Sequence, residues 1–537
     1  MAFPPIPRRF FLKQAALAAG VLLAGPAGLS SCQPATAHIR GGLKGPSHAA
    51  GHLLRNIARL PVPDGFSDTH VLIIGGGIAG LSARRWLHRQ GVRDVLLVEL
   101  EEAVGGNSRG DETPTAAHPW GAHYLPVLDL RNRELLQFLE ECGSLTGFDP
   151  DQKPIYNEYH LCHDPEERLF INGFWQEGLV PETGLSEDEK AQILRFDRLM
   201  EGYRQARGAD GKDAFAIPLV HSSADARFRE LDRLSFADFL DSHGFTSPHL
   251  RWYLDYCCRD DYGATTGQTS AWAGIHYFAA RKGQAANADA SAVLTWPEGN
   301  QFLVSQLRQQ ADSAIRSKLM AFDVRLDGKK VLVSAYDTET QKTAGIRADF
   351  VIMATPQFVN RPLLRNLPAY TPPDLHYAPW LIANLTIDGL PQDRGAPLCW
   401  DNVLYGTRSV GYITASHQHL HQTQRKVITY YRPLTEEAPD EARRRAYQTT
   451  YGDWLQAVLA ELETAHPGIT PRISEADIWI WGHGMVAPTP GFLQRPPVLP
   501  VADRLFFAHS DLSGISIFEE AFYQGIRAAQ AILDRTS

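Results

Sequence analysis

The sequence predicts an α/β protein organised around a Rossmann-type dinucleotide-binding unit, and three observations carry that prediction. Val71-Leu72-Ile73-Ile74 is a continuous apolar run, as a strand buried on both faces requires, and it leads directly into "GGGIAGLSARRWL". A second apolar run, Asp94 to Val98, ends at Glu99, about twenty residues beyond the glycines, where a carboxylate can accept both hydroxyls of a ribose. The chain has 537 residues, 44% hydrophobic and 21% charged, an ordinary globular composition in a length beyond one hydrophobic core. Two or more packing units, interleaved along the chain, are therefore expected.

The glycine turn comes first. Gly75, Gly77 and Gly80 have GxGxxG spacing: Gly75 permits the tight turn, Gly77 lets a pyrophosphate approach the backbone, and Gly80 lets the helix pack against the strand. The N-terminus of that helix then faces the phosphates. Gly105-Gly106-Asn107-Ser108 follows shortly after Glu99. From Val71 to Ser108 the sequence resembles the start of the flavin amine oxidase superfamily, the monoamine and polyamine oxidases and phytoene-desaturase-like enzymes. Its members carry a second GG motif after the ribose carboxylate. The resemblance implies FAD rather than NAD as cofactor, held by Gly75, Gly77, Gly80, Glu99, Gly106, Asn107 and Ser108.

Further segments match the same superfamily. "ADFVIMATP", Ala348 to Pro356, resembles the strand and turn where the chain returns to the FAD domain, and Val324 in "FDVRL" resembles the residue whose backbone meets the adenine. In the C-terminal stretch from Arg504 to Leu533, Asp511 matches the family's acid near the ribityl-pyrophosphate. Ser516 to Glu519 has capping-box spacing, which predicts a helix starting at Ser516 with its N–H groups available to the flavin N1/C2=O edge. Such a dipole would stabilise an anionic reduced flavin. Matches at both ends and in the middle imply a discontinuous Rossmann-type FAD-binding domain, residues 67–165, 293–360 and 495–537, with an inserted α+β substrate domain. The insert comprises a helical segment, 166–292, and a strand-rich segment, 361–494.

Upstream of the fold, Arg8-Arg9-Phe10-Phe11-Leu12-Lys13 resembles a twin-arginine signal, and the apolar run Ala15 to Ala24 is too short to span a bilayer. Leu29-Ser30-Ser31-Cys32 resembles a lipobox, so residues 1–31 read as a signal peptide and Cys32 as an acylation site. Residues 32–66, rich in Gly, Pro, Ala and His, read as a tether. The expected location is the periplasmic side of the envelope, on a lipid anchor; Gln33 is not the aspartate associated with inner-membrane retention. The twin-arginine route is associated with folded, cofactor-loaded cargo, which agrees with an FAD protein.

Composition excludes other classes. A formal charge of −9 and a pI near 6.1 leave no broad cationic field, so nucleic acid is not an expected partner. The six cysteines form no CxxC pair and no Cys/His pattern of zinc spacing, so no metal site is expected, and Cys257 and Cys258 read as buried thiols.

Three clusters hold candidate residues for chemistry. "WGAHYLP" places His123 and Tyr124 close after the flavin motifs, as substrate-binding residues or as a packed aromatic loop. "RDDYG" offers Asp260, Asp261 and Tyr262 to hold an ammonium group by charge and cation–π contact, the alternative being an ion pair with Arg259 at a helix end. Trp272 and His276 follow it. "WIWGHGMVAPTPGF" places Trp481 and His483 where family members have an aromatic wall, His483 being a candidate base or a structural histidine. Tyr523, on the predicted C-terminal helix, completes the catalytic candidates.

One departure from the family bears on the electron acceptor. Oxidases of this superfamily that react well with oxygen generally carry a lysine bonded through water to flavin N5, and the corresponding stretch here, Tyr377 to Ile387, has no Lys. That favours transfer to a quinone or carrier protein over oxygen. Three readings follow: an exported FAD enzyme oxidising an amine or polyamine by hydride transfer to N5, a desaturase or isomerase acting on an apolar lipid, and an envelope lipoprotein that retains FAD without turnover.

Overall fold

The computed structural model describes residues 36–311, 314–391, 394–421 and 423–536. The twin-arginine run, the apolar run and Cys32 lie outside the described residues. The chain divides into two units, 1–39 and 40–537. In the first, the Ile39 N–H closes a turn on the Thr36 carbonyl at 3.0 Å; the rest of the account concerns the second.

In chain order, the elements that build its two large sheets and position the site are β1 (Leu43–Lys44), β2 (Phe66–Ile74), α1 (Ile78–Arg89), β3 (Val95–Val98), β4 (Glu167–Ile171) and β5 (Phe174–Glu177). They continue with α2 (Glu187–Gln205), α3 (Pro248–Tyr262), α4 (Ala271–Ala279), β6 (Ala314–Arg316), β7 (Leu319–Asp327), β8 (Lys330–Asp337) and β9 (Thr343–Met353). The last are β10 (Tyr377–Asp388), β11 (Asp401–Leu404), β12 (Gly411–Thr414), β13 (Arg425–Pro433), α5 (Pro439–Gln448), β14 (Ile473–Val486), β15 (Leu505–Phe507) and α6 (Phe518–Thr536).

The first sheet has the order β6-β3-β2-β9-β8-β7, with β15 pairing the free side of the C-terminal half of β9. Its centre is parallel: Ile73 lies between Leu97 on β3 and Ile352 on β9, and Ile352 faces Phe506 on β15. The apolar run that predicted β2 is buried on both sides, Val71 and Ile73 in one core cluster and Leu72 and Ile74 in another. Each such side chain contributes roughly 1.5–3 kcal/mol by leaving water. Helix α6 packs on α1 at backbone distance: a Cβ on Gly525 would fall 2.1 Å from the Ala79 carbonyl oxygen, and Ser82 Oγ donates to the Phe522 carbonyl at 2.8 Å.

The second sheet has eight strands in the order β1-β14-β10-β13-β12-β11-β4-β5. Its central strand β10 is buried from Tyr377 through Ile387. Helices α2, α3 and α4 cover one end with an aromatic-rich core containing Phe196, Phe236, Phe239 and Trp272. α2 begins as its sequence requires, with a capping box in which Ser186 and Glu189 satisfy each other's backbone N–H groups.

Three sequence expectations change here. The segment 32–66 is more than a tether: Leu43 and Lys44 pair in parallel with Ile478 and Trp479, extending the second sheet. The segment 166–292 is not wholly helical, because it opens with the hairpin β4–β5, which completes that sheet's far edge. The C-terminal helix starts at Phe518, two residues beyond the predicted Ser516.

Candidate active site

Between the sheets lies a cavity of about 1310 Å³, lined from Glu99 and Glu101 at one end to Asp260 and Arg281 at the other. The glycine turn forms one wall. Gly75 has φ +108°, and a Cβ there would lie 2.6 Å from the Ala354 carbonyl oxygen. A Cβ on Gly80 would fall 1.9 Å from the Gly75 carbonyl oxygen. A Cβ on Gly77, by contrast, would meet no atom within 4 Å. Gly77 therefore keeps open a cradle at the N-terminus of α1, where unpaired N–H groups and the helix dipole favour a phosphate.

Glu99 closes the adjoining end of this arm. Its carboxylate accepts from Gly76 N at 2.6 Å and Glu101 N at 2.9 Å, and burial, outweighing those bonds, pushes its carboxyl up. Gly106 and Ser108 line the same arm, and Asn107 Nδ2 donates to the Gly484 carbonyl, tying the second glycine motif to β14. Asp511 sits beyond the turn, where Tyr377 OH donates to it at 2.6 Å and Gln357 N at 2.8 Å, with His509 Nδ1 at 3.0 Å. Burial opposes ionisation of Asp511, but His509 and these donors hold its carboxyl below the usual range. Ser516 also faces the cavity. Cradle, ribose carboxylate and length together fit an extended dinucleotide.

The far end is aromatic and acidic. His123, Tyr124, Tyr277, Trp380, Tyr431 and Trp481 line it. Trp481 is fixed by donating from Nε1 to the Trp120 carbonyl at 2.5 Å. His123 Nδ1 lies 3.2 Å from the Gly121 carbonyl, which can only accept, so the neutral ring keeps Nε2 as an acceptor. Burial lowers its pKa to about 4, and the ring packs on Tyr431 at 4.7 Å. Arg281 donates to Asp261 at 2.7 Å and to Tyr124 OH at 3.3 Å. Among the described residues no hydrogen bond or ion pair reaches Asp260, whose carboxyl is pushed up to about 7 by burial and then by Asp261. Glu519, also on the cavity wall, is pushed up to about 7 by burial. The predicted ion pair to Arg259 does not form: that guanidinium binds Asp255 at 3.1 Å and the Arg408 carbonyl at 3.0 Å.

Several sequence candidates stand elsewhere. Val324 is wholly buried opposite Val333, and a register shift between Ala321 and Asp323 leaves Leu319, Met320 and Ala321 as the part of β7 facing the cavity. Tyr262 ties α3 to α4 by donating to the Ala273 carbonyl at 2.9 Å, and it lies outside the cavity lining. Tyr523 is likewise outside the lining, packed on Phe522 at 5.6 Å with its hydroxyl toward Glu134. His483 does line the cavity, stacked on Phe358 at 4.0 Å, but burial and then Arg443 lower its pKa to about 3. At neutral pH its ring is therefore uncharged and only weakly basic. The sequence reading missed Arg281, Tyr277, Trp380 and Tyr431. Trp380 and Tyr431 stood inside apolar strand runs, where aromatic residues ordinarily mark core.

A glycine-lined arm continuous with an aromatic and acidic chamber, together with the family match that follows, makes the protein an FAD-dependent oxidoreductase. The family description "flavin containing amine oxidoreductase" matches residues 78–533, and the chain belongs to that family. A ketocytochalasin monooxygenase from Aspergillus clavatus is 33% identical over 106 residues, 20% of this chain and 13% of that protein's length. Among solved structures, a putrescine oxidase bound to putrescine shares the fold with a TM-score of 0.63 at 15% identity, over 88% of this chain and all of that one. Cyclohexylamine oxidase from Brevibacterium oxydans gives 0.59 at 15% identity over the same shares. A fatty acid isomerase from P. acnes gives 0.56 at 14%, over 86% of this chain and 98% of that one.

Proposed function

We propose that the protein oxidises an amine, with a diamine or polyamine as the best-fitting class, and passes the electrons to an acceptor other than oxygen. The observation that carries this reading is Asp260, a carboxylate without a partner among the described residues, at the aromatic end of the flavin cavity. With Asp261 and Glu519 against the single Arg281, that end carries an excess of negative charge when ionised, which suits a cation. Trp380, Tyr431 and Tyr124 add ring faces that attract an ammonium or an alkyl chain.

FAD, when bound, accepts the hydride equivalent of the substrate C–H bond. The protein residues position the donor. Asp260 holds one ammonium of a diamine, and the aromatic walls confine the chain so that its other end points along the cavity toward the flavin arm. His123 and His483 stay uncharged at neutral pH, so neither repels the cationic substrate. The acidic end disfavours the alternative of a desaturase or isomerase with an apolar lipid substrate. Every cation lining the cavity is an arginine, Arg55, Arg281, Arg443 and Arg444, in keeping with the lysine-free strand β10. That supports a quinone or carrier protein as acceptor.

The amino-terminal pattern supports delivery to the periplasmic side by the twin-arginine route, with a lipid on Cys32. A C32A variant that remains membrane-bound after signal processing would overturn the anchor.

Anaerobic addition of putrescine and cyclohexylamine to the purified holoenzyme tests the central reading through the visible flavin spectrum. Bleaching by either amine, followed by faster reoxidation with a quinone than with oxygen, is the expected result. A flavin that stays oxidised with amines while the protein converts a fatty acid would overturn it.

A further inference from the structure

The segment expected to be a tether faces the dinucleotide arm. After β1, Ser47 donates from N at 2.7 Å and from Oγ at 3.1 Å to the carboxylate of Glu101, two residues past the ribose carboxylate. A helical stretch follows, His48–Gly51 running into His52–Arg59. Leu54 on this stretch is buried with Leu72, Ile74, Val98 and Leu363 in the core of the first sheet. His48 packs on Tyr447 of α5 at 4.8 Å. The segment is thus fastened to both sheets, and Pro46, His48, His52, Leu54 and Arg55 line the same cavity as Gly77, Glu99 and Met320.

The charges there are uneven. Of the four cavity arginines, Arg281 faces Asp261 at 2.7 Å, Arg443 faces Asp440 at 2.8 Å and Arg444 faces Glu441 at 3.8 Å. Arg55 has no carboxylate partner among the described residues; its guanidinium instead lies 3.0 Å from His52 Nε2. The acids of this arm are already engaged, Glu99 by two backbone N–H groups and Glu101 by Ser47 and by Arg109 at 3.3 Å. Arg55 and the open N-terminus of α1 line the same cavity, and an anion is the partner both lack.

We propose that residues 46–55 form a clasp over the adenosine diphosphate half of FAD, with Arg55 as the counter-charge to its diphosphate. Retention of the cofactor then depends on a segment amino-terminal to the Rossmann unit itself. Leu54 anchors the clasp in the core and Arg55 supplies the charge, so the two can be separated by substitution.

The test is the rate of flavin release from the full-length holoenzyme after dilution, read by recovery of free-flavin fluorescence at low and high salt. Arg55→Ala should release FAD about tenfold faster or more at low salt, with the difference shrinking as salt rises, and Arg55→Lys should restore part of the loss. Leu54→Ala, which loosens the clasp but keeps the charge, should speed release at all salt concentrations. Release at the parent rate from both Arg55→Ala and Leu54→Ala overturns the proposal. Faster release from Arg55→Ala with no dependence on salt overturns the role of charge.

Discussion

Replacing Asp260 by Asn keeps the size of the side chain and removes a chamber carboxylate that has no partner among the described residues. With its pKa near 7, Asp260 is about 90% ionised at pH 8 and about 10% ionised at pH 6. A cationic substrate that needs the ionised form therefore binds roughly tenfold more weakly at pH 6. At pH 8 the D260N variant loses a charge-assisted contact of about 1.5–3 kcal/mol, a drop of roughly ten- to 150-fold in kcat/KM. At pH 6 the parent has itself lost most of that contact, so the gap between the two narrows about tenfold. The assay is anaerobic stopped-flow reduction of the flavin by putrescine across this range. Glu519 also titrates near 7, and E519Q is the control, which should retain the acidic limb that D260N lacks. Parental kcat/KM in D260N at pH 8, or an unchanged limb, would refute the assignment of Asp260 as the ammonium holder.

The same substitution should act oppositely on stability. An acid whose folded pKa is raised binds more protons folded than unfolded between about pH 4 and 7, so its contribution to stability falls as pH rises through that window. Substrate-free D260N should therefore melt at a higher temperature than the parent at pH 8 and at the same temperature near pH 4, and a lower melting point at pH 8 would contradict the burial of that charge. At the other end of the cavity, G80A must push a Cβ to within 1.9 Å of the Gly75 carbonyl oxygen, so the turn opens and the purified variant should be colourless. A yellow G80A protein with parental flavin content would show that helix α1 has room that the structure denies.

The legible parts of this protein are those where backbone geometry leaves few residue choices. Gly75 with its positive φ, Gly80 against a carbonyl and Gly77 in open space each answer a separate steric demand, so their spacing carried the cofactor arm. Glu99 was readable because the strand before it is short and buried on both faces. The chamber was less so. Asp260 was found through an unusual dipeptide, but Arg281, which neutralises its neighbour, comes from beyond the end of α4 and has no local signature. Val324 was placed by resemblance alone, and no local signal shows the register shift before Asp323 that sets it apart from the cavity-lining Leu319, Met320 and Ala321. The clasp was read as a tether because its Gly, Pro and His composition has no periodicity. Its order comes from Leu54 and from the edge of β14.

The free side of the C-terminal half of β9 is occupied by Leu505–Phe507, and α1 is covered by α6, which ends at Thr536. The cofactor arm is therefore assembled from the first and last parts of the sequence, with more than four hundred residues between β2 and β15. A growing chain lacks this strand and helix until residues 505–536 have been made, so tight uptake of flavin waits for them. Folding carries a high share of long-range contacts and is expected to be slow. A truncation before Leu505, even one that spares the whole substrate domain, yields a protein without its colour.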